Sequence, residues 1–188
     1  MNHKLVFLDI DGVLNSNVDL MNGIHLCNKK VLLLRSLLAM DSDIKIVISS
    51  AWRILYTQEV LCDMLYRVGL GTRSMCVLGF TPTRVDPKYK KEASVLNSLG
   101  IQQYRGYEIN AWLEENRGSW TDYVILDDSG DMTNDQIKHT YVRVDANIGL
   151  TEANCQQMCD ILGLGEFVHN NVYLDTKEEI RVRRKERK

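Results

Sequence analysis

The chain has 188 residues, 45% apolar and 26% charged, with a net charge of −2, a balance typical of one globular domain with a substantial buried core. No apolar run nears the roughly 20 residues of a bilayer-crossing helix. The N-terminal MNHKLVFLDI lacks a signal-peptide layout, since its short apolar stretch meets an aspartate at once, so a cytoplasmic protein is expected. The charge is unevenly spread. Residues 177–188 carry seven basic and three acidic side chains, a local +4, on a body of 16 basic and 22 acidic residues. Such a tail is either a solvated end or a contact for a nucleic-acid backbone. Five cysteines (Cys27, Cys62, Cys76, Cys155, Cys159) have neither paired CxxC spacing nor a histidine pair nearby, and read as reduced thiols rather than a zinc site.

In chain order, short apolar runs alternate with helical periodicity, the pattern of a Rossmann-like α/β parallel sheet flanked by helices. Strands are predicted at Leu5–Leu8, Ile44–Ile48, Met75–Leu78, Tyr123–Leu126 and Tyr141–Val144. Asn28–Met40 reads as a helix whose apolar face is Val31, Leu32, Leu34, Leu37 and Leu38. Thr57–Val68 and Glu108–Asn116 read likewise, and Thr151 is placed to cap a helix over Glu152–Leu162. The loop Thr81–Lys91 holds both prolines and has neither period. Residues 167–174 resemble a short terminal strand or hairpin. The expected organisation is one domain over 1–176 with a minimal cap (insertions of about 13–43 and 54–104), followed by the basic tail. The short insertions would leave the site open, which suits a bulky substrate.

In open α/β sheets ligands bind beyond the carboxyl ends of the strands. The first strand is followed there by Asp9, Asp11 and Gly12. Ser49, Ser50 and then Arg53 follow the second, Asp127, Asp128 and Asp131 another, and Asp145 the last. Carboxylates gathered at one edge repel unless a cation sits among them, and hard oxygen ligands suit Mg²⁺. In that arrangement Asp9 would attack phosphorus and Asp11 would exchange protons with the leaving group and water. Ser49, Ser50 and a guanidinium would bind phosphoryl oxygens. Arg53 either points back at the phosphate or forms a salt bridge. Asn15 either shapes the flap over the site or caps a turn. Trp52 is the tryptophan adjacent to the site, where it could stack on a base. Trp112, spaced helically with Ile109 and Leu113, reads as core. His25 and His139 have no partner pattern suggesting general-base work.

Asp9-x-Asp11-Gly12, a Ser after the second strand, a later basic residue and Asp127-Asp128 together resemble the four motifs of the haloacid dehalogenase superfamily, over roughly residues 4–150. SSAWR at 49–53, RGYEINAWL at 105–113 and YVILDD at 123–128 resemble its phosphatase-type domains of nucleic-acid end repair and nucleotide dephosphorylation. The resemblance implies a Mg²⁺-dependent phosphomonoesterase, with Asp9 and Asp11 catalytic, and Asp9, Asp11, Asp127 and Asp128 at the metal. Either Asp127 or Asp128 would touch the ion. The basic third motif is Arg105, with Lys88, Lys90 and Lys91 as rivals. Val13 stands where the superfamily often has Thr. Expected substrates are nucleotides or nucleic-acid terminal phosphates. A small-metabolite phosphatase and a non-catalytic nucleic-acid-binding or regulatory module are the alternatives, and oligomeric state is left open. A response-regulator receiver fits poorly, because its phosphoacceptor follows a middle strand.

Overall fold

The computed structural model describes residues 2–83, 95 and 104–169. Their order is β1 (His3–Leu8), α1 (Asn17–Met21), α2 (Asn28–Met40), β2 (Ile44–Ile48), α3 (Trp52–Leu55), α4 (Gln58–Leu65), β3 (Val77–Phe80), α5 (Tyr104–Glu115), β4 (Trp120–Asp127), α6 (Asn134–His139), β5 (Tyr141–Arg143) and α7 (Glu152–Leu162). Five strands form one parallel sheet in the order β3-β2-β1-β4-β5, the Rossmann-like arrangement expected from the alternating pattern. No helix among the described residues is long and apolar enough to cross a membrane.

Strand alternation sorts the core into two layers. Val6, Leu8, Ile46, Ile48, Val124 and Leu126 face α2, α4 and α7, where Leu34, Leu37, Leu61, Leu65 and Met158 are buried against them. Leu5, Phe7, Val47 and Ile125 face the other way, toward Ile109, Trp112 and Leu113 of α5 and toward Met132. Trp112 is therefore core, and Phe7 meets its ring edge-on at 5.6 Å. Each fully buried Leu or Ile contributes about 1.5–3 kcal/mol.

The differences from expectation are local. In α2, Leu33 rather than Leu32 completes the buried face. β3 begins two residues later than predicted, because Met75 lies within a 3₁₀ turn over Gly71–Cys76 and is 85% exposed, while pairing starts at Val77 opposite Ile46. α4 is capped by Thr57, whose hydroxyl accepts from the Val60 N–H. α5 starts at Tyr104 rather than Glu108, because Gly106 N–H bonds the Asp131 carbonyl at 3.1 Å. Its first turn, Tyr-Arg-Gly-Tyr, shows no apolar period. Thr151 caps α7 as expected, in a capping box with Asn154.

The segments 13–43 and 54–104 enclose elements of the core layers, namely α2, α4 and β3. Most of the loop Thr81–Lys91, including Lys88, Lys90 and Lys91, and the tail 177–188 lie outside the described residues. Of residues 167–174, those described, Phe167–His169, are not in a strand.

Candidate active site

The site grows from the alternation that builds the core. Leu5 and Phe7 of β1 face α5, and Asp9 is the next residue on that face. Its N–H bonds the Leu126 carbonyl of β4 at 3.0 Å, while Ser49 N–H bonds the Leu8 carbonyl of β1 at 2.9 Å. Ser49 (after Val47) and Asp127 (after Ile125) thus share one rung with Asp9, at the carboxyl edge of the sheet. Apolar side chains lie below this rung and oxygen-bearing ones on it.

Carboxylate oxygens of Asp9, Asp127 and Asp128 lie within 4.8 Å of one another. Asp9 is 5% exposed and Asp127 fully buried. Burial first, and then the Asp9 charge, push the Asp127 carboxyl up to about 7, against the opposing pull of Arg105. The same two causes, in the same order, raise Asp128. Arg105, in the first turn of α5, sends Nη1 to Asp9 Oδ1 at 3.0 Å and to Asp127 Oδ2 at 2.9 Å, and also donates to the Ser49 carbonyl at 3.0 Å. Burial disfavours its charge, but Asp127 and Asp9 outweigh burial and hold its pKa above the ordinary value. Asp131 takes the α5 end in hand, accepting from Arg105 N–H at Oδ2 and from the Ser129 hydroxyl at Oδ1. Tyr141 of β5 braces the same turn by donating to the carbonyls of Asp127 and Ser129.

Asp11 stands outside this cluster. Its side chain reaches the opposite wall, where Asn15 Nδ2 donates to Oδ1 at 2.9 Å and the Trp52 indole N–H donates to Oδ2 at 2.8 Å. Asn15, fully buried, also accepts from Gly12 N–H at 2.8 Å and donates to the His25 carbonyl at 2.8 Å. It holds the turn carrying Asp11. Trp52 is 7% exposed and spends its N–H on Asp11, which ties the loop after β1 to the one after β2. Gly12 has φ +74°, a conformation that favours glycine, and a Cβ there would lie 2.5 Å from Asp128 Oδ2 and displace that carboxylate.

On the β2 side, Ser49 is fully buried and its hydroxyl has no hydrogen-bond partner among the described residues. The Ser50 hydroxyl accepts from Trp52 N–H at 3.4 Å, starting α3. Arg53 turns inward. It donates to the carbonyls of Ser49 and Ser50 and pairs with Glu108 of α5 at 2.5 Å, its side chain 5% exposed. Between the two readings of Arg53, this geometry is the salt bridge, buried rather than on the surface, and the guanidinium supports the serine turn from behind. Burial lowers its pKa, against the Glu108 charge.

Among the described residues, Asp9, Asp127 and Asp128 are the group able to hold a metal. Asp145 binds Asn147 N–H at 2.9 Å and lines a cleft beside Asp128 with Arg143, Val144 and Ala146. His139 lies 3.9 Å from Asp135, both exposed. Residue patterns gave no warning that Trp52 and Asn15 serve Asp11, or that Glu108 serves Arg53. The Gly106 contact was equally silent, since Gly106 lies before the helix start expected at Glu108. A Cβ on Gly106 would meet Thr133 N at 2.6 Å and Gln136 Oε1 at 2.5 Å.

Compared with known families, residues 5–155 match the one described as the HAD domain in Swiss Army Knife RNA repair proteins. Searches of curated proteins and of solved structures returned no match.

Proposed function

Since the chain belongs to the HAD family of Swiss Army Knife RNA repair proteins, whose superfamily is generally hydrolytic, we propose that it is a Mg²⁺-dependent phosphomonoesterase. It acts through an aspartyl-phosphate on nucleotides or nucleic-acid terminal phosphates. The observation that carries this reading is the shared rung: a buried carboxylate, Asp9, lies between the acidic pair Asp127-Asp128 and the buried hydroxyl of Ser49, which has no partner among the described residues.

The donor set fits Mg²⁺. All its ligands are carboxylate oxygens, and burial together with the Asp9 charge raises Asp127 and Asp128 against the pull of Arg105, so a cation among them would favour their ionised form. Asp9, Asp127 and Asp128 would hold the ion, with Asp11 nearby on the same turn. When bound it would offset the repulsion between Asp9 and an anionic phosphate and polarise the phosphoryl oxygens.

The chain's own residues do the rest. Asp9 attacks phosphorus, the P–O bond to the leaving group breaks, and Asp11 protonates the departing alkoxide. Asp11, now ionised, takes a proton from water. The hydroxide attacks phosphorus, releasing inorganic phosphate and restoring Asp9. Ser49 donates to a phosphoryl oxygen from a buried position, where a hydrogen bond to a charged acceptor is strong. Arg105 keeps Asp9 aligned through its bond to Oδ1, and the Trp52–Asn15 clamp keeps Asp11 facing the leaving group. The basic tail would add a salt-sensitive contact to a polynucleotide.

Phosphate release from an aryl phosphate, mononucleotides, and 3′- and 5′-phosphorylated oligonucleotides tests this, with and without Mg²⁺. Asp9→Asn is expected to lower release by about 10⁴-fold or more. Release that survives Asp9→Asn, or that ignores Mg²⁺ removal, would refute the mechanism. A preference for small phosphates with no salt dependence would point to a metabolite phosphatase instead.

A further inference from the structure

Thr81, the residue after β3, repeats the geometry of Ser49 one strand further out. Its N–H bonds the Ile48 carbonyl of β2 at 3.0 Å, as Ser49 bonds Leu8 and Asp9 bonds Leu126. Register agrees, since Phe80 pairs with Ile48 and Ile48 with Leu8. Thr81, Ser49, Asp9 and Asp127 thus form a single row across four adjacent strands, on the face that carries α5. Thr81 is 2% exposed, and its hydroxyl, like that of Ser49, has no hydrogen-bond partner among the described residues. Buried hydroxyls rarely go unpaired. Two of them, neighbours at the ligand-binding edge of an α/β sheet, point to a ligand that both are waiting for.

Strand spacing of about 4.8 Å sets Thr81 about 5 Å from Ser49 and about 10 Å from Asp9. That is too far to share the phosphoryl group on Asp9, and suited to the next group along the substrate. A hydroxyl donor shielded from water favours a partner that only accepts and carries charge. We propose that the Thr81 hydroxyl forms a second oxyanion subsite, which binds the phosphodiester next to the terminal phosphate of an oligonucleotide. This rests on the phosphatase reading above and names its substrate class: a strand end is preferred to a mononucleotide, because only the strand end has a second phosphate for Thr81.

The test compares wild type, Thr81→Val and Thr81→Ser on a terminally phosphorylated oligonucleotide and on phenyl phosphate. In Thr81→Val the oligonucleotide KM is expected to rise about tenfold with kcat within twofold, so that the oligonucleotide-to-phenyl-phosphate ratio of kcat/KM falls about tenfold. Thr81→Ser, which restores the hydroxyl, is expected to recover most of that ratio. An unchanged ratio, or a Ser variant as impaired as the Val variant, would overturn the subsite. If wild type releases phosphate from neither substrate, the phosphatase reading itself fails. Equilibrium binding of the same oligonucleotide then decides the subsite separately: a Kd about tenfold weaker in Thr81→Val upholds it, and an equal Kd overturns it.

Discussion

The two halves of the cleft solve opposite problems. On the β1–β4 side, three carboxylates are forced together with one guanidinium among them, and burial, followed by the Asp9 charge, raises the pKa values of Asp127 and Asp128. On the β2–β3 side, two buried hydroxyls carry no charge and have no partners among the described residues. One half needs a cation and the other needs an acceptor, and a phosphate ester with its metal supplies both. Two residues join the halves. Arg105 touches Asp9, Asp127 and the Ser49 carbonyl, and Trp52 reaches from the β2 side to Asp11.

The largest effect should come from the buried, crowded carboxylates of the acidic half. The folded pKa of Asp127 is about 7, against about 3.9 for an unfolded Asp. Between these values the folded state holds a proton that the unfolded chain lacks. Stability of the metal-free protein therefore falls as pH rises through that window and levels off above it. For a fully buried group shifted this far, the loss is up to about 4 kcal/mol. Asp19 and Asp41, whose pKa values are lowered by hydrogen bonds and lysine partners, lose their contribution only at lower pH and do not mask the trend. Urea denaturation in EDTA from pH 5 to 8 is expected to show the decline, and Asp127→Asn to flatten it. Mg²⁺ competes with protons for these oxygens, so its stabilisation should be greater at pH 8 than at pH 5. A metal-free stability that rises over this range would remove the contrast between the two halves.

Gly106→Ala should damage both halves at once. The new Cβ meets a backbone nitrogen, Thr133 N, at 2.6 Å, so the start of α5 must move, and Arg105 moves with it. We expect a stability loss of about 1–3 kcal/mol from overpacking, and about a 100-fold fall in kcat/KM from misplaced charge. The two are read separately by denaturation and by assay of the folded protein. Full activity in a folded Gly106→Ala protein would mean that Arg105 does not couple the halves.

The acidic half was far more legible in the sequence than its counterpart. Asp9, Asp11, Asp127 and Asp128 stand out because carboxylates after apolar strands have few structural uses. The strands themselves were readable because parallel sheets bury both faces and leave unbroken Val, Ile and Leu runs. Arg105 could be ranked over its lysine rivals by position, but its contacts could not be foreseen, since the first turn of α5 has no apolar period. Thr81 was invisible for a different reason. A lone threonine beside a proline looks like the start of a loop, and only strand register reveals that it shares a rung with Asp9. Arg53 was ambiguous because its partner, Glu108, lies 55 residues away, beyond any local pattern. Trp52 could be placed beside the site, yet sequence offers no means of telling a base-stacking ring from one whose N–H is already committed.

That last point gives the smallest and most specific effect. Trp52→Phe keeps the aromatic packing, including the contact with the Tyr56 ring, and deletes the donor to Asp11 Oδ2. Asn15 still holds Oδ1, and water can replace part of the lost bond because Asp11 is exposed, so the expected loss in kcat is about tenfold, near 1.4 kcal/mol. A variant that had merely loosened the fold would lose the same factor on every substrate. A misaligned proton donor would not in the phosphoenzyme-forming step, because a nitrophenolate leaves readily without protonation while a nucleoside alkoxide does not. The later step, in which Asp11 takes a proton from water, is common to all substrates. In single-turnover measurements of the first step, Trp52→Phe should therefore spare nitrophenyl phosphate and slow nucleoside phosphates. If both first-step rates fall equally, the indole is packing rather than positioning. The link between the halves then rests on Arg105 alone.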